Sequence, residues 1–517
     1  MGFRSRIGTI TCIAATSLIL FLSPCPAQEQ TRPDTVEIRD GWFYVNGEKF
    51  FVKGVCFFEN HDVEGSFTRS RLEILDHEFR KIKEAGFNTI RSQLRPEELE
   101  LAKKHGLMVM QGANHLFFSR EYIDPQVTQK EKEVTRRVLE YSKGHDNILY
   151  YIIDNEPQVQ EGIYRQGETA LLSFHSALIA EAKSVDPKAI VSMASYPPAA
   201  FLDYSIYDCV SLNLYPFCPA CNSIGYEKYA RWFKSRHASG KPFIISEYGW
   251  QVSRGEEEFS KTMMGLLDDQ IEAGAAGSFF YTWRAFGREG SGDNLWYGII
   301  PNGGREYDYR NEPRQIYRDF RQYFEAVIIE PSSSGSYSLE LPVKVYGTDR
   351  TASVDALMDG RTFSLGRSGK YWWEAAIPLD PAGRGEKTIT IIAKDADGKE
   401  LVKKEKKIKT GVRGAVVTVK ITPETKGLKA GGSYKAKITV RGHDESPVPN
   451  QPLVLGVNET GENLWMSDVM NVRTGADGEY SFTWNNLLPG YLTVMAGVDA
   501  TSADSALPDI DIARIDR

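Results

Sequence analysis

The stretch at 147–157 reads Asn-Ile-Leu-Tyr-Tyr-Ile-Ile-Asp-Asn-Glu-Pro. Ile148 to Asp154 are mostly apolar β-formers, and the run stops abruptly at Asn155, Glu156 and Pro157. A short, continuous apolar run closed by a turn signal is the pattern of a strand buried on both faces, as in a parallel sheet. A second run has the same form. Lys241-Pro-Phe-Ile-Ile-Ser-Glu-Tyr-Gly-Trp250 again ends a hydrophobic strand on a carboxylate, Glu247.

Outward from these two runs, the chain alternates between β-rich apolar segments and amphipathic charged ones from about 40 to 325. The other strand candidates are 50–58, 87–93, 106–113, 189–196, 209–215 and 277–285. Between them apolar residues recur at helical spacing over Arg71–Ala85, Pro96–His105, Thr128–Lys143, Thr169–Ser184, Tyr226–Ser239, Glu257–Ala273 and Pro313–Phe324. Eight strands, each with a following helix, imply a parallel sheet, and a closed (β/α)8 TIM barrel over 36–328 is the expected architecture. An open doubly wound sheet is the alternative, but no Gly-rich phosphate turn follows the first strand.

At Pro331-Ser-Ser-Ser-Gly-Ser336 the composition changes and helical periodicity fades. Short alternating strands such as Tyr337–Leu341, Lys387–Ala393, Ala415–Ile421 and Tyr480–Trp484 predict two C-terminal immunoglobulin-like β-sandwich domains, over 335–411 and 413–517. The basic run Lys403–Lys409 reads as a solvated strand edge.

The first 27 residues have the form of a secretory signal peptide. Arg4 and Arg6 precede the apolar segment Ile7–Leu22, and Cys25-Pro-Ala27 supplies small residues at the cleavage position. The apolar segment is shorter than the ~20 residues of a membrane span. The expected product is secreted or periplasmic, with no stable membrane insertion after signal cleavage. A net charge of −7 without a long basic run argues against a nucleic-acid partner. Nine Trp and 25 Tyr suit stacking on flat ligands such as sugar rings as well as core packing. Cys218-Pro-Ala-Cys221 reads as a local disulfide or free thiols, because no second pair of ligands for zinc lies at fitting spacing.

In a parallel barrel the strand ends share one face, and function collects there. The residues closing the strands are Glu59, Asn60 and His61, then Arg91, Asn114 and His115, Asn155 and Glu156, Asn213 and Tyr215, Glu247 and Trp283. Burying so many polar groups without use is costly. Strands four and seven lie on opposite sides of an eight-stranded ring, so Glu156 and Glu247 can face each other across its mouth. A protonated carboxyl opposite an ionised one is the apparatus of glycoside cleavage. A separation of about 5–5.5 Å gives the retaining route and about 6.5–9.5 Å the inverting one. The carboxylates themselves supply acid and nucleophile, so no metal or organic cofactor is implied.

The runs Asn46–Val55, Phe87–Arg91, Asn147–Pro157 and Lys241–Gly249 resemble the clan A glycoside hydrolases, and most closely the catalytic barrel of glycoside hydrolase family 2. The resemblance covers about 40–325 and implies a retaining enzyme acting on β-linked oligo- or polysaccharides. Position by position, it implies that Glu156 is the acid/base and Glu247 the nucleophile. It further implies that Asn155 holds the sugar 2-hydroxyl, that Arg91 and Tyr215 keep Glu247 ionised and oriented, and that Trp283 floors the sugar site. His61 and Asn114 are further substrate-binding candidates by position, and Trp250, Trp296 and Tyr297 are possible stacking platforms. Two departures stand out: family 2 chains usually carry β-domains before the barrel, and 209–250 also resembles family 72 β-1,3-glucanosyltransferases. A β-glucan transglycosylase is therefore the alternative enzyme, and a non-catalytic carbohydrate-binding protein the alternative outside catalysis.

Overall fold

A computed structural model of the chain describes residues 36–57, 71–114, 121–157, 166–217, 224–252, 255–285, 297–301, 312–380, 383, 385–411, 417–442, 444–460, 465–498 and 507–516. The signal segment, Glu59, Asn60, His61, His115, Cys218, Cys221 and Trp296 lie outside the described residues.

The described chain opens with a small antiparallel sheet, β1 (Val36–Arg39), β2 (Trp42–Val45) and β3 (Glu48–Phe50). Its two turns are Asp40-Gly41 and Asn46-Gly47, all four residues at positive φ. Asp-Gly and Asn-Gly between short strands form the tight turns whose twist matches the hairpin.

The barrel follows. Its strands are β4 (Val52–Cys56), β5 (Thr89–Ser92), β6 (Met108–Gly112), β7 (Ile148–Asn155), β8 (Val191–Ser195), β9 (Val210–Asn213), β10 (Phe243–Tyr248) and β11 (Gly277–Phe280). All are parallel to their neighbours, and β11 pairs with β4 to close the ring. Each lies inside the run expected from sequence, apart from one-residue shifts at the ends of β7 and β10. Among the described residues, seven α-helices pack outside: α1 (Arg71–Glu84), α2 (Pro96–Lys104), α3 (Pro125–Ser142), α4 (Glu168–Val185), α5 (Tyr226–His237), α6 (Glu256–Glu272) and α7 (Gln315–Tyr323). On α1 the buried Ile74, Leu75, Phe79 and Ile82 repeat at three- and four-residue spacing and form its inner face.

One expectation fails here. No α-helix follows β8. Residues 197–199 and 204–206 form two short 3-10 turns, the first opening on Pro197 and Pro198, which contribute no backbone N–H to a helix. The place is covered instead by the terminal β-domain, whose Tyr491, Met495 and Ile510 belong to the same buried cluster as Ala199, Leu202 and Tyr204. Tyr491 stacks on Phe201 at 3.9 Å and 11°.

Inside the ring, Val52, Cys56, Met110, Tyr150, Ile152, Ala194, Cys209, Ile244 and Phe279 make a second apolar cluster. Phe43 of β2 stacks on Tyr150 at 5.5 Å, so the N-terminal sheet plugs the lower end. The interior is full enough that Gly54 has no room for a Cβ, which would overlap the Phe279 ring.

The first sandwich packs a four-stranded sheet on a five-stranded one. Its first strand, Val327–Glu330, pairs with Glu340–Tyr346 directly after α7. The basic run differs from expectation. Lys404 donates to the Tyr323 carbonyl at 2.9 Å and sits over the Tyr323 ring, and Lys406 pairs with Glu272 at 2.5 Å. Alternation along a strand sends every second lysine inward, here onto α6 and α7. The last sandwich packs a three-stranded sheet on a four-stranded one.

Candidate active site

Two strand irregularities build the mouth of the barrel. Along β7, Ile152 faces the interior while Ile153 joins the outer layer and Asp154 bonds His175 of α4 at 3.0 Å. The register with β8 slips between Ile152 and Asn155, and Asn155 turns back inward. Glu156 then adopts φ 48°, a left-handed backbone uncommon outside glycine and recurrent at functional sites. Along β10 the pairing with both neighbours slips after Ile245. That slip lets consecutive residues serve one site: Ser246 Oγ donates to Asn213 Oδ1 at 2.7 Å, while Glu247 meets Arg91. Bulges of this kind re-aim side chains next to active sites.

The two glutamates stand in unlike surroundings. Glu247 is 7% exposed. Its Oε1 accepts from Arg91 Nη1 at 2.6 Å and its Oε2 from the Tyr215 hydroxyl at 2.5 Å. Short, charge-assisted bonds to both oxygens fix the carboxylate plane. Burial beside Glu247 holds the Tyr215 phenol far above its usual range, so it remains the donor. Among the described residues, Glu156 has a single donor, Asn213 Nδ2 at 2.8 Å from Oε1. Burial, and next the charge of Glu247, raise its carboxyl from 4.5 to about 7, against the smaller opposing effects of Asn213 and Arg91. One carboxyl is thus disposed to carry a proton near neutrality, while the other is clamped by a guanidinium.

Arg91 and Asn213 tie the halves together. Arg91 Nη2 donates to Asn155 Oδ1 at 2.6 Å and Asn213 Nδ2 approaches the same oxygen at 3.2 Å. The Asn155 carbonyl oxygen is therefore occupied, and its Nδ2 has no hydrogen bond among the described residues. Arg91 itself is 4% exposed and also reaches the Ser246 carbonyl at 2.8 Å.

Of the residues singled out from sequence, Arg91, Asn155, Glu156, Tyr215 and Glu247 converge. Asn114 is fully buried just past β6, with neither amide atom hydrogen-bonded among the described residues. Trp283 is elsewhere. It is fully buried in the outer layer, its indole N–H donates to Glu78 of α1 at 2.5 Å, and Phe87 and Tyr317 pack on it. Alternation from Phe279 would turn both Tyr281 and Trp283 inward, but the strand ends at Phe280, and beyond it Tyr281 stays with the inner cluster while Trp283 joins the outer one. Tyr281 is the aromatic at the carboxylates. Its ring lies 6.2 Å from that of Tyr215, and Glu247 and Glu156 both push its phenol upward after burial. Counting alternation from Phe279 would have found it. Asn213 appeared among the strand ends, but its bridging of Asn155 and Glu156 rests on side-chain direction that no motif records.

Among the described residues, no three His, Cys, Asp or Glu side chains are grouped to hold a metal, and no helix is long and apolar enough to cross a membrane. Cys56 and Cys209 are free and buried.

Residues 36–274 match the family described as glycosyl hydrolases family 2, TIM barrel domain. The matched residues take in barrel strands β4 to β10, with Glu156 and Glu247. Among curated proteins, the chain is 23% identical over 283 residues to a beta-glucuronidase of Mus musculus, covering 49% of this chain and 41% of that protein. It is 22% identical over 242 residues to one of Paenibacillus borealis, covering 43% and 39%. The chain thus spans about two-fifths of the length of these relatives. Among solved structures, beta-glucuronidase 3 of Bacteroides uniformis aligns with a TM-score of 0.43 at 15% identity, over 92% of this chain and 64% of that one.

Proposed function

We propose that the barrel hydrolyses β-glycosidic bonds of oligo- or polysaccharides with retention of configuration. The observation that carries this reading is the unlike pair: Glu156 with its carboxyl raised to about 7, and Glu247 held by Arg91 and Tyr215. Glu156 gives its proton to the glycosidic oxygen as the bond to the leaving group breaks. Glu247 Oε attacks the anomeric carbon and forms a glycosyl ester. Glu156, now ionised, takes a proton from water, whose oxygen displaces Glu247 and regenerates both groups. Asn155 offers its Nδ2 to the sugar 2-hydroxyl, since Arg91 occupies its carbonyl oxygen. Asn213 orients Glu156 while leaving its second oxygen for the reaction. The basic start and apolar segment of the first 27 residues support an exported enzyme.

A panel of aryl β-glycosides, including glucosides, galactosides, mannosides and glucuronides, tests the reading, with products sized to separate hydrolysis from transfer to a second sugar. Glu247→Ala is expected to abolish turnover. Glu156→Ala is expected to spare substrates whose leaving group needs no proton. Wild-type rates in both variants on a good substrate would overturn the assignment.

A further inference from the structure

From Glu247 a file of aromatic rings leads out of the barrel. Tyr215, whose hydroxyl touches Glu247, stacks on Phe217 at 5.1 Å and 24°, and Phe217 lies 5.9 Å from Trp250. On the inner side Tyr281 lies 6.2 Å from Tyr215, and Tyr297 lies 5.9 Å from Tyr281. Exposure rises along the file: Tyr215 is half-buried and Phe217 is 51% exposed. Among the described residues, Phe217 is the one aromatic among the exposed large hydrophobic side chains. An aromatic face left in water beside a catalytic carboxylate is unfavourable until something apolar covers it. The C–H face of a pyranose does so, with the sugar hydroxyls directed outward to solvent. We propose that Phe217 and Trp250 form a binding subsite for a second pyranose of a β-linked chain, next to the sugar that Glu247 attacks.

This deepens the glycosidase reading and rests on it. The substrate class becomes a β-linked oligosaccharide or polysaccharide rather than a glycoside of one sugar. Phe217→Ala is expected to lower kcat/KM on an oligosaccharide by about tenfold, mainly through KM, and to leave the glycosyl fluoride of the single sugar, whose leaving group is too small to reach Phe217, within about twofold. Phe217→Trp should retain the wild-type oligosaccharide KM. Equal losses on both substrates, or none on either, would overturn the subsite. Calorimetric titration of the same oligosaccharides into Glu247→Ala, with and without Phe217→Ala, separates the two readings. A chain that binds through Phe217 but is never cleaved by wild type sinks the glycosidase and keeps the subsite.

A different observation concerns the terminal sandwich. Its strand Gly490–Val498 touches the far end of the segment that carries Tyr215 and Phe217. Ile224 packs beside Gly497, and Lys228 Nζ donates to the Val498 carbonyl at 3.1 Å. From there the Tyr226 hydroxyl donates to the Leu214 carbonyl at 2.9 Å, and Leu214 N–H donates to the Glu247 carbonyl at 2.8 Å. We infer that the terminal sandwich braces this segment, so that Lys228 is a positioning residue for Tyr215. Lys228→Ala removes the tie to Val498. It is expected to lower kcat several-fold with KM little changed, and Lys228→Arg should restore it. In a Tyr215→Phe background the same change should have no further effect. Additive losses in the two backgrounds would show a merely structural contact and overturn the brace.

Discussion

Glu156→Gln should inactivate the enzyme and stabilise it, with a pH dependence that the geometry fixes. The Glu156 carboxyl is raised from 4.5 to about 7, first by burial and then by Glu247. That difference corresponds to about 3 kcal/mol between its protonated and ionised forms. A group whose folded value lies above its unfolded one contributes stability in full below the unfolded value and loses it as pH rises through the folded one. The wild type therefore loses this contribution between about pH 4.5 and about pH 7, while the neutral amide of Gln loses nothing. Between about pH 5.5 and about pH 8 the variant should gain about 2 kcal/mol on the wild type. In the barrel's thermal transition this is a relative rise of roughly 4–8 °C at the higher pH. Differential scanning calorimetry of both proteins at the two pH values reads it directly. An offset that is the same at both pH values would refute the claim that Glu156 is held protonated by its surroundings.

The same group sets the alkaline limb of activity: kcat/KM should fall as pH rises through about 7, and Asn213→Ala should move that limb upward, because the Asn213 donor favours the ionised form. Arg91→Met should cost at least about a hundredfold in kcat and several kcal/mol of stability, since it leaves the buried Glu247 without its cation; urea unfolding and steady-state kinetics check the two effects. Tyr281→Phe should change kinetic constants with little loss of stability, whereas Trp283→Phe should cost about 1–3 kcal/mol by removing one donor from the buried Glu78 carboxylate, which Arg284 still holds, and leave kinetics near wild type. Gly54→Ala should destabilise the barrel by about 1–3 kcal/mol or more, because the added methyl group overlaps the Phe279 ring.

The barrel was legible because its strands are apolar on both faces, so each run stands out without knowledge of which face is inner. The same property hid the inner face. Nothing in Phe279-Phe280-Tyr281-Thr282-Trp283 says which rings look inward: Gly54 fixes Phe279 on the inner face, but the strand ends at Phe280 and Trp283 then departs from the alternation. Glu156 and Glu247 were legible because each closes a strand, yet the register slips that aim them follow from pairing with β8, β9 and β11. The N-terminal hairpins were written plainly in Asp40-Gly41 and Asn46-Gly47, and the sequence reading passed over them. The missing helix after β8 was marked by Pro197-Pro198, but its replacement by the terminal domain involves contacts almost three hundred residues apart in sequence, which local pattern does not carry.

The central claim is that Glu247 attacks and Glu156 protonates, on opposite sides of one sugar. Azide rescue of the two alanine variants, read by proton NMR of the products, tests it most directly. The account predicts an α-glycosyl azide from Glu247→Ala, where azide replaces the missing nucleophile, and a β-glycosyl azide from Glu156→Ala, where it intercepts the ester. The opposite anomers, or a single anomer from both variants, would contradict it.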